Sequence, residues 1–218
     1  MTGWQRQVPN GITLARLALT ACFFTLLNVH QAGSFRTTLW IAFGVFVIAA
    51  LTDILDGYLA RSWKVESAFG RVVDPFVDKI LICGAFIFLA STDFIDKVEL
   101  EHFRVVGQHF DPGSITGVAP WMAVVLIARE FLITGIRGLA ERKGIDFRAD
   151  WAGKVKMVVQ SVAVGAILVD VVTAYDQLEH GPVGWVRLTR DILIWLTLVI
   201  TVLSATGYIL RARRILED

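Results

Sequence analysis

Four aspartates stand close together in an otherwise apolar part of this chain of 218 residues. Asp53 and Asp56 are three residues apart, and Asp74 and Asp78 are four residues apart. On an α-helix either spacing places both carboxylates on one face. Two such helices that face each other would gather four carboxylates, whose mutual repulsion bound cations must offset. Oxygen ligands of this kind favour a hard divalent ion, so the sequence predicts a site for Mg²⁺ or Mn²⁺.

The residues around the aspartates suit a ligand that carries phosphate. Gly57 and Gly70 lack side chains, so a ligand can approach the backbone closely there. Arg61, Lys64 and Arg71 add positive charge, which phosphate groups need. The stretch therefore combines candidate metal ligands with candidate phosphate ligands.

Residues 53–78 match the pattern D-x2-D-G-x2-A-R-x8-G-x3-D-x3-D in full. This pattern resembles the signature of the CDP-alcohol phosphotransferases, integral-membrane enzymes that make phospholipid headgroups. The alternative, helix-capping aspartates in a polar loop, explains one or two of the four acids but not all of them.

Composition points to a membrane protein. Hydrophobic residues make up 55% of the chain and charged residues 19%, and the mean hydropathy is +0.61. A net charge of +1 gives no reason to expect a nucleic-acid partner. We predict one all-α membrane domain over residues 1–218, with a short N-terminal interfacial segment that ends near Asn10, the expected helix cap. The six predicted membrane-spanning helices cover residues 12–28, 38–59, 75–90, 119–140, 154–174 and 190–210.

Charge in the connections predicts the orientation. Lys and Arg concentrate between spans 2 and 3, between spans 4 and 5, and in the C-terminal tail. The connections between spans 3 and 4 and between spans 5 and 6 carry acids, and we place Asp170 among them. By the positive-inside rule, both termini and the four aspartates face the cytoplasm at the cell membrane. The long connection 91–118 reads as a surface loop or a short interfacial helix.

A second group of charges falls in and after the fourth span. Arg129, Glu130 and Arg137 lie within it, and Lys154 and Lys156 begin the fifth. Charges at this depth face a cavity or a partner, and we expect Glu130 to pair with a neighbouring helix. The four cations suit the phosphate of a phosphorylated polyol. Alternatively, the two lysines are ordinary cytoplasmic anchors.

Three further pieces are similar to the branch of the family that makes phosphatidylglycerophosphate: Asn10-Gly-Ile-Thr13-Leu-Ala-Arg16, Ala128-Arg129-Glu130 with Arg137, and Gly153-Lys154-Val-Lys156. The resemblance implies that CDP-diacylglycerol is bound by Asn10, Thr13, Arg16, Gly57, Arg61 and Ser67. From the residues alone, Arg16 could equally extend along the first helix to the membrane surface.

The resemblance also implies a reaction. A phosphatidyl group would pass from CDP-diacylglycerol to sn-glycerol 3-phosphate, with release of CMP. Asp53, Asp56 and Asp74 would hold divalent metal, Asp78 would contact a second ion, and Asp78 would act as the general base. The resemblance to this family also implies that the protein forms a homodimer in the lipid bilayer.

Three alternatives stay open at this point. The first is the same chemistry with another acceptor, namely inositol phosphate, serine or phosphatidylglycerol. The second is a proton-coupled transporter, which also needs intramembrane charges but usually shows repeats that this sequence lacks. The third is a membrane scaffold, which gives no reason for four carboxylates at these spacings.

Overall fold

The computed structural model describes the backbone of residues 3–28, 34–63, 68–106, 115–142, 151–173 and 184–217. It describes side chains in residues 11–28, 34–52, 76–77, 79–100, 115–140, 153, 155–173, 184–210 and 212–213. Regular structure in these ranges is entirely helical, as predicted.

Seven helices follow one another in the described backbone. They are α1 (Gly3–Asn28), α2 (Phe35–Trp63), α3 (Ala68–Leu89), α4 (Thr92–Val106), α5 (Pro120–Arg142), α6 (Trp151–Thr173) and α7 (Gly184–Glu217). Six of them contain the six predicted spans, apart from the single end residues 90, 119 and 174. The seventh, α4, lies in the connection 91–118 and is the short helix of the two alternatives considered there.

Four stretches of the described helices are long and apolar enough to cross a membrane: Gly11–Asn28, Phe35–Thr52, Val155–Thr173 and Gly184–Leu210. Helix α3 contributes a shorter apolar stretch, Lys79–Leu89. Helix α5 carries Arg129, Glu130 and Arg137 in its interior, and these charges lower its hydropathy. The structure thus supports a helical membrane protein, while the count of six spans stays a prediction.

The start of α1 differs from the prediction. The helix begins at Gly3 and continues without interruption to Asn28, so residues 3–10 are not a separate interfacial segment. Asn10 lies inside the helix and cannot be its N-terminal cap. A helix needs no apolar sequence to continue, and these polar residues lengthen it by about 12 Å.

The long helices pack as a closed ring. Helix α1 contacts α2 and α3, α2 contacts α6, α6 contacts α7, α7 contacts α5, and α5 returns to α3. Helix α3 also contacts α6 across the ring. Large buried side chains fill the interior, among them Phe23, Phe46, Phe86, Leu126 and Ile167.

Contacts between the helices fix their directions. Phe24, late in α1, stacks on Phe88, late in α3, with ring centroids 5.2 Å apart, so these two helices run parallel. Phe43, early in α2, lies beside Gly165 in the second half of α6. The start of α6 is therefore at the same end of the bundle as the end of α2. We call this the aspartate end, because Asp53 is near the end of α2.

Helices α1 and α3 approach each other most closely at Gly84. A Cβ atom at this position would overlap the ring of Phe24, which is held in place by stacking on Phe88. By contrast, a Cβ atom at Gly44 on α2 would meet nothing within 4 Å. Glycine at 84 is therefore required by packing.

We predict that Gly84→Ala destabilises the bundle relative to Gly44→Ala. Both changes gain helix propensity, of about 1 kcal/mol, but only the first overpacks the contact with Phe24, at a cost of about 1–3 kcal/mol. Thermal unfolding of the two variants in detergent measures the difference. Equal midpoints for both would contradict the close approach.

Helices α6 and α7 are joined by a buried ion pair at the end opposite the aspartates. Arg190 donates from Nη1 to Asp170 Oδ2 (2.6 Å) and to the Ile115 carbonyl (3.1 Å). Its Nε and Nη2 donate to Asp191 Oδ1 at 2.9 and 2.8 Å. The placement of Asp170 in a connection was therefore wrong. The arginine compensates the buried carboxylate, so Asp170 can lie within α6.

Arg190→Met should lower the free energy of unfolding by about 3–5 kcal/mol, because it leaves the Asp170 carboxylate buried without its cation. Asp191→Asn is the matched control, with an expected loss of about 1 kcal/mol or less, since Asp191 is half-exposed. Unfolding of both variants in detergent checks this. An Arg190→Met protein as stable as the parent would show that the pair contributes nothing.

Candidate active site

The four aspartates lie on two consecutive helices. Asp53 and Asp56 are in about the last three turns of α2, and Asp74 and Asp78 are in about the first three turns of α3. Only residues 64–67 separate these helices, a distance of roughly 17 Å at full extension. Both pairs are thus in helices, as their spacing requires, at the same end of the bundle. Their side chains lie outside the described residues, so the carboxylate cluster stays a prediction.

Several other predicted site residues also have undescribed side chains. Asn10 lies on α1, Gly57 and Arg61 lie on α2, and Lys154 lies on α6. Ser67 lies outside the described residues altogether. The contacts predicted for these five residues are therefore untested.

Thr13 and Arg16 lie on the buried face of α1. Thr20 and Phe23 continue the same face, and the Thr20 hydroxyl donates to the Arg16 carbonyl at 2.8 Å. The Arg16 side chain is only 1% exposed. Its extension to the membrane surface, one of the two readings of the sequence, is therefore wrong. Arg16 is therefore a cation held in the interior, near the middle of α1.

Three charged side chains meet inside the bundle, and we call them the ion triad. Arg129 Nη1 donates to Glu130 Oε1 at 2.9 Å, and Lys156 Nζ donates to the same oxygen. Arg129 Nη2 donates to the Ser204 hydroxyl at 3.0 Å, and the guanidinium lies 5.9 Å from the centre of the Tyr208 ring. The predicted pairing of Glu130 with a neighbouring helix is confirmed. Residues of α5, α6 and α7 thus meet at one point.

The triad has more positive than negative charge. Arg129 and Lys156 are both buried, and Glu130 is largely so, which leaves a net charge of +1 away from water. Surplus charge at such a site is costly unless an anion compensates it. Phosphate is well suited, because Arg and Lys bind its oxygens through charge-assisted hydrogen bonds.

The predicted group of four cations is not one cluster in the described residues. Arg129 and Lys156 are brought together by Glu130. Arg137 follows eight residues after Arg129, about 12 Å along α5, and makes no described hydrogen bond to the triad. It lies nearer the aspartate end, where it could act on a ligand that extends from the triad.

The triad lies close to the helix that carries Asp78. Cys83 on α3 lies within electrostatic range of both Glu130 and Lys156. Asp78 precedes Cys83 by five residues, a rise of about 7.5 Å along α3 towards the aspartate end.

Sequence reasoning missed the residues of α7 that support the triad. Ser204 and Tyr208 belong to a buried stripe that also contains Thr197 and Thr201. The sequence does indicate this stripe, because its polar side chains recur every three or four residues through an apolar span and so share one helix face. Among the described side chains, no group of three or more His, Cys, Asp and Glu is arranged to hold a metal.

Known proteins resemble this chain over most of its length. A family model described as CDP-alcohol phosphatidyltransferase matches residues 6–203. The "CDP-diacylglycerol--glycerol-3-phosphate 3-phosphatidyltransferase" of Bacillus subtilis (strain 168) is 30% identical over 220 residues, covering 92% of each chain. The "Probable phosphatidylglycerophosphate synthase" of Mycobacterium tuberculosis (strain CDC 1551 / Oshkosh) is 30% identical over 95% of this chain and 82% of its own.

A relative from Mycoplasma pneumoniae (strain ATCC 29342 / M129 / Subtype 1), with the same name as the Bacillus protein, is 29% identical over 74% of this chain and 67% of its own. The family match extends from α1 into α7 and includes both the aspartate helices and the ion triad. The chain therefore belongs to the CDP-alcohol phosphatidyltransferase family.

Proposed function

We propose that this enzyme transfers the phosphatidyl group of CDP-diacylglycerol to sn-glycerol 3-phosphate, giving phosphatidylglycerophosphate and CMP. The names of its relatives support this acceptor. The observation that carries the proposal is the buried surplus of positive charge on Arg129 and Lys156, which lie on two helices that contact α3, the helix of Asp78. A phosphate bound at the triad would direct the rest of a three-carbon acceptor towards the aspartates.

The aspartates fit a divalent metal site. They offer only carboxylate oxygens, two on each of two helices that begin or end at the same end of the bundle. Asp53, Asp56 and Asp74 would hold Mg²⁺ or Mn²⁺, and Asp78 would contact a second ion. Bound metal would neutralise the diphosphate and the charge that develops on departing CMP. Gly57, Arg61 and Ser67, with Asn10, Thr13 and Arg16, would bind the rest of CDP-diacylglycerol.

Asp78 would act as general base on the acceptor. Its carboxylate would take the proton of the acceptor hydroxyl as that oxygen bonds to the phosphorus that carries the diacylglycerol. The bond from this phosphorus to the oxygen of CMP would break, and CMP would leave with the electron pair. Arg129 and Lys156, assisted by Arg137 and Lys154, would hold the acceptor phosphate during the transfer.

The membrane arrangement is part of the same proposal. Helices α1, α2, α3, α5, α6 and α7 would form six spans in the cell membrane, with the aspartate end and both termini in the cytoplasm. The substrates reach the site from two sides there, since the lipid comes from the bilayer and glycerol 3-phosphate from water. Two copies would assemble as a homodimer.

The alternatives are less well supported. Serine and phosphatidylglycerol bring no terminal phosphate to compensate the triad, and the names of the relatives favour glycerol 3-phosphate over inositol phosphate. A proton-coupled transporter or a scaffold does not account for membership of a family of transferases.

Purified protein in detergent should turn over CDP-diacylglycerol with glycerol 3-phosphate and release CMP, in the presence of Mg²⁺. With serine, inositol phosphate or phosphatidylglycerol at the same concentration the rate should be at least about a hundredfold lower, the scale on which polar sites reject a mismatched acceptor. Release of labelled CMP, with EDTA as the metal-free control, measures this. Preferred turnover with a non-phosphorylated acceptor would contradict the role of the triad.

Asp78→Asn should reduce kcat by about a hundredfold or more, because an amide cannot take the proton of the acceptor hydroxyl. The matched control is Asp93→Asn on α4, where the aspartate is exposed and pairs only with Lys97 and where turnover should not change. Both rates are measured with saturating Mg²⁺ and glycerol 3-phosphate. Near-normal turnover of Asp78→Asn would exclude Asp78 as the base.

A further inference from the structure

Gln160 is a buried polar side chain to which the proposed mechanism gives no role. It lies on α6 one turn after Lys156, on the face that continues through Ala163 and Ile167 to Asp170. The side chain is 2% exposed, and its Nε2 donates no hydrogen bond within the described part of the chain. A buried amide donor left in this way costs about 1–3 kcal/mol.

The register of α6 and α7 shows what faces Gln160. Asp170 pairs with Arg190, and Gln160 precedes Asp170 by ten residues. The position ten residues after Arg190 on antiparallel α7 is 200, so Gln160 is level with the turn that contains Thr201. The Thr201 hydroxyl is also buried and has no hydrogen-bond partner among the described residues.

Most side-chain hydroxyls described in these helices are paired; besides Thr201, the buried Thr197 hydroxyl one turn earlier on α7 also has no described partner. Side-chain hydroxyls donate to the backbone carbonyl four residues earlier at Thr20, Thr25, Thr38, Thr52, Thr134, Ser161, Thr173, Thr189 and Thr206. The Thr201 hydroxyl makes no such hydrogen bond to the backbone. The Gln160 amide, at the same level of the bundle, also has no described acceptor. The two unpaired groups therefore share one place in the bundle, next to the ion triad.

Glu130 is the member of the triad that could accept hydrogen bonds from these donors, since Arg129 and Lys156 only donate. Its Oε1 now accepts from both Arg129 and Lys156, the two cations proposed to bind the acceptor phosphate. A phosphate at the same cations would repel the carboxylate and compete for their N–H groups. Side chains one turn apart on a helix are about 5–6 Å apart, and helical side chains lean towards the N-terminus. The Gln160 amide therefore leans towards Lys156 and the carboxylate bound to it.

We propose that Glu130 is a counter-ion that the acceptor phosphate displaces, and that Gln160, with Thr201, receives the displaced carboxylate. This inference rests on the proposed function and adds a specificity-determining pair to it. In the empty site Glu130 neutralises one of the two buried cations. In the occupied site the phosphate takes both cations, and Glu130 accepts hydrogen bonds from the Gln160 amide and the Thr201 hydroxyl. An uncharged acceptor cannot displace Glu130, so the exchange selects acceptors that carry phosphate.

Binding of inorganic phosphate to the full-length protein in detergent, measured by calorimetry, tests the exchange. Gln160→Leu should weaken phosphate binding by about tenfold, the loss expected for one hydrogen bond to a charged group, and raise the KM for glycerol 3-phosphate equally. Its melting temperature should stay the same or rise, because the amide is unpaired in the empty site. A merely structural role for Gln160 would instead lower the melting temperature and leave phosphate binding unchanged, which would overturn the proposal. Ser161→Ala, at the neighbouring half-buried residue, is the control that should change neither quantity.

A double-mutant cycle tests the link to Glu130. Glu130→Gln should bind phosphate about tenfold more tightly, because the competing carboxylate is gone, and adding Gln160→Leu to it should have no further effect. An undiminished effect of Gln160→Leu in that background would overturn the proposal. If Glu130→Gln does not fold, Gln160→Glu replaces it. Repulsion between two carboxylates should then weaken phosphate binding beyond the effect of Gln160→Leu, and equal binding by these two variants would overturn the proposal.

The calorimetry also separates this inference from the proposed function. Phosphate binding that follows the predicted order in a protein with no turnover of glycerol 3-phosphate would support the exchange and reject the acceptor. A parent protein that does not bind inorganic phosphate at millimolar concentration would overturn the exchange, whatever its turnover.

Discussion

Charge buried among helices must be paired, and this constraint organises the described part of the bundle. Asp170 and Arg190 neutralise each other at one end of α6, and Glu130 accepts from two cations near the other end. Asp170 and Arg190 lie on different helices, as do Glu130 and Lys156, so these two pairs also fix the register of the helices that supply them. Removing either partner would leave an ion in a medium that solvates it poorly. Packing and electrostatics are thus satisfied by the same contacts.

The two buried ionic groups differ in a way that separates stability from chemistry. The Asp170–Arg190 pair is balanced within the interior, since the second carboxylate bound to Arg190, that of Asp191, is half-exposed, and a backbone carbonyl accepts from the same arginine. The triad is unbalanced by one positive charge and lies beside donors that the described residues do not use. A hydrogen-bonded ion pair with no net charge suits a permanent contact between helices. A group with a surplus positive charge suits a site that binds and releases an anion.

The sequence was sufficient for the helices and the family, because both depend on local pattern, and it indicated that Glu130 pairs with a neighbouring helix without identifying Lys156 as the partner. Apolar runs near 20 residues and the spacing of the aspartates can be counted along the chain. Burial of Arg16, the position of Asp170 inside α6 and the support given by Ser204 depend on which faces of distant helices meet. The start of α1 was misjudged because polarity predicts where a chain leaves the membrane, and it does not predict where a helix begins.

The stacking of Phe24 on Phe88, with the Phe24 ring against Gly84, holds α1 and α3 in a fixed relative position. If either helix slid or rotated relative to the other, the Phe24 ring would collide with the backbone at Gly84. Arg16 and the backbone of Asp78 are on these two helices, so any displacement of one is transmitted to the other. By contrast, the ion triad belongs to α5 and α6. A motion within this enzyme is therefore expected to carry α1 and α3 together and to displace them relative to the ion triad.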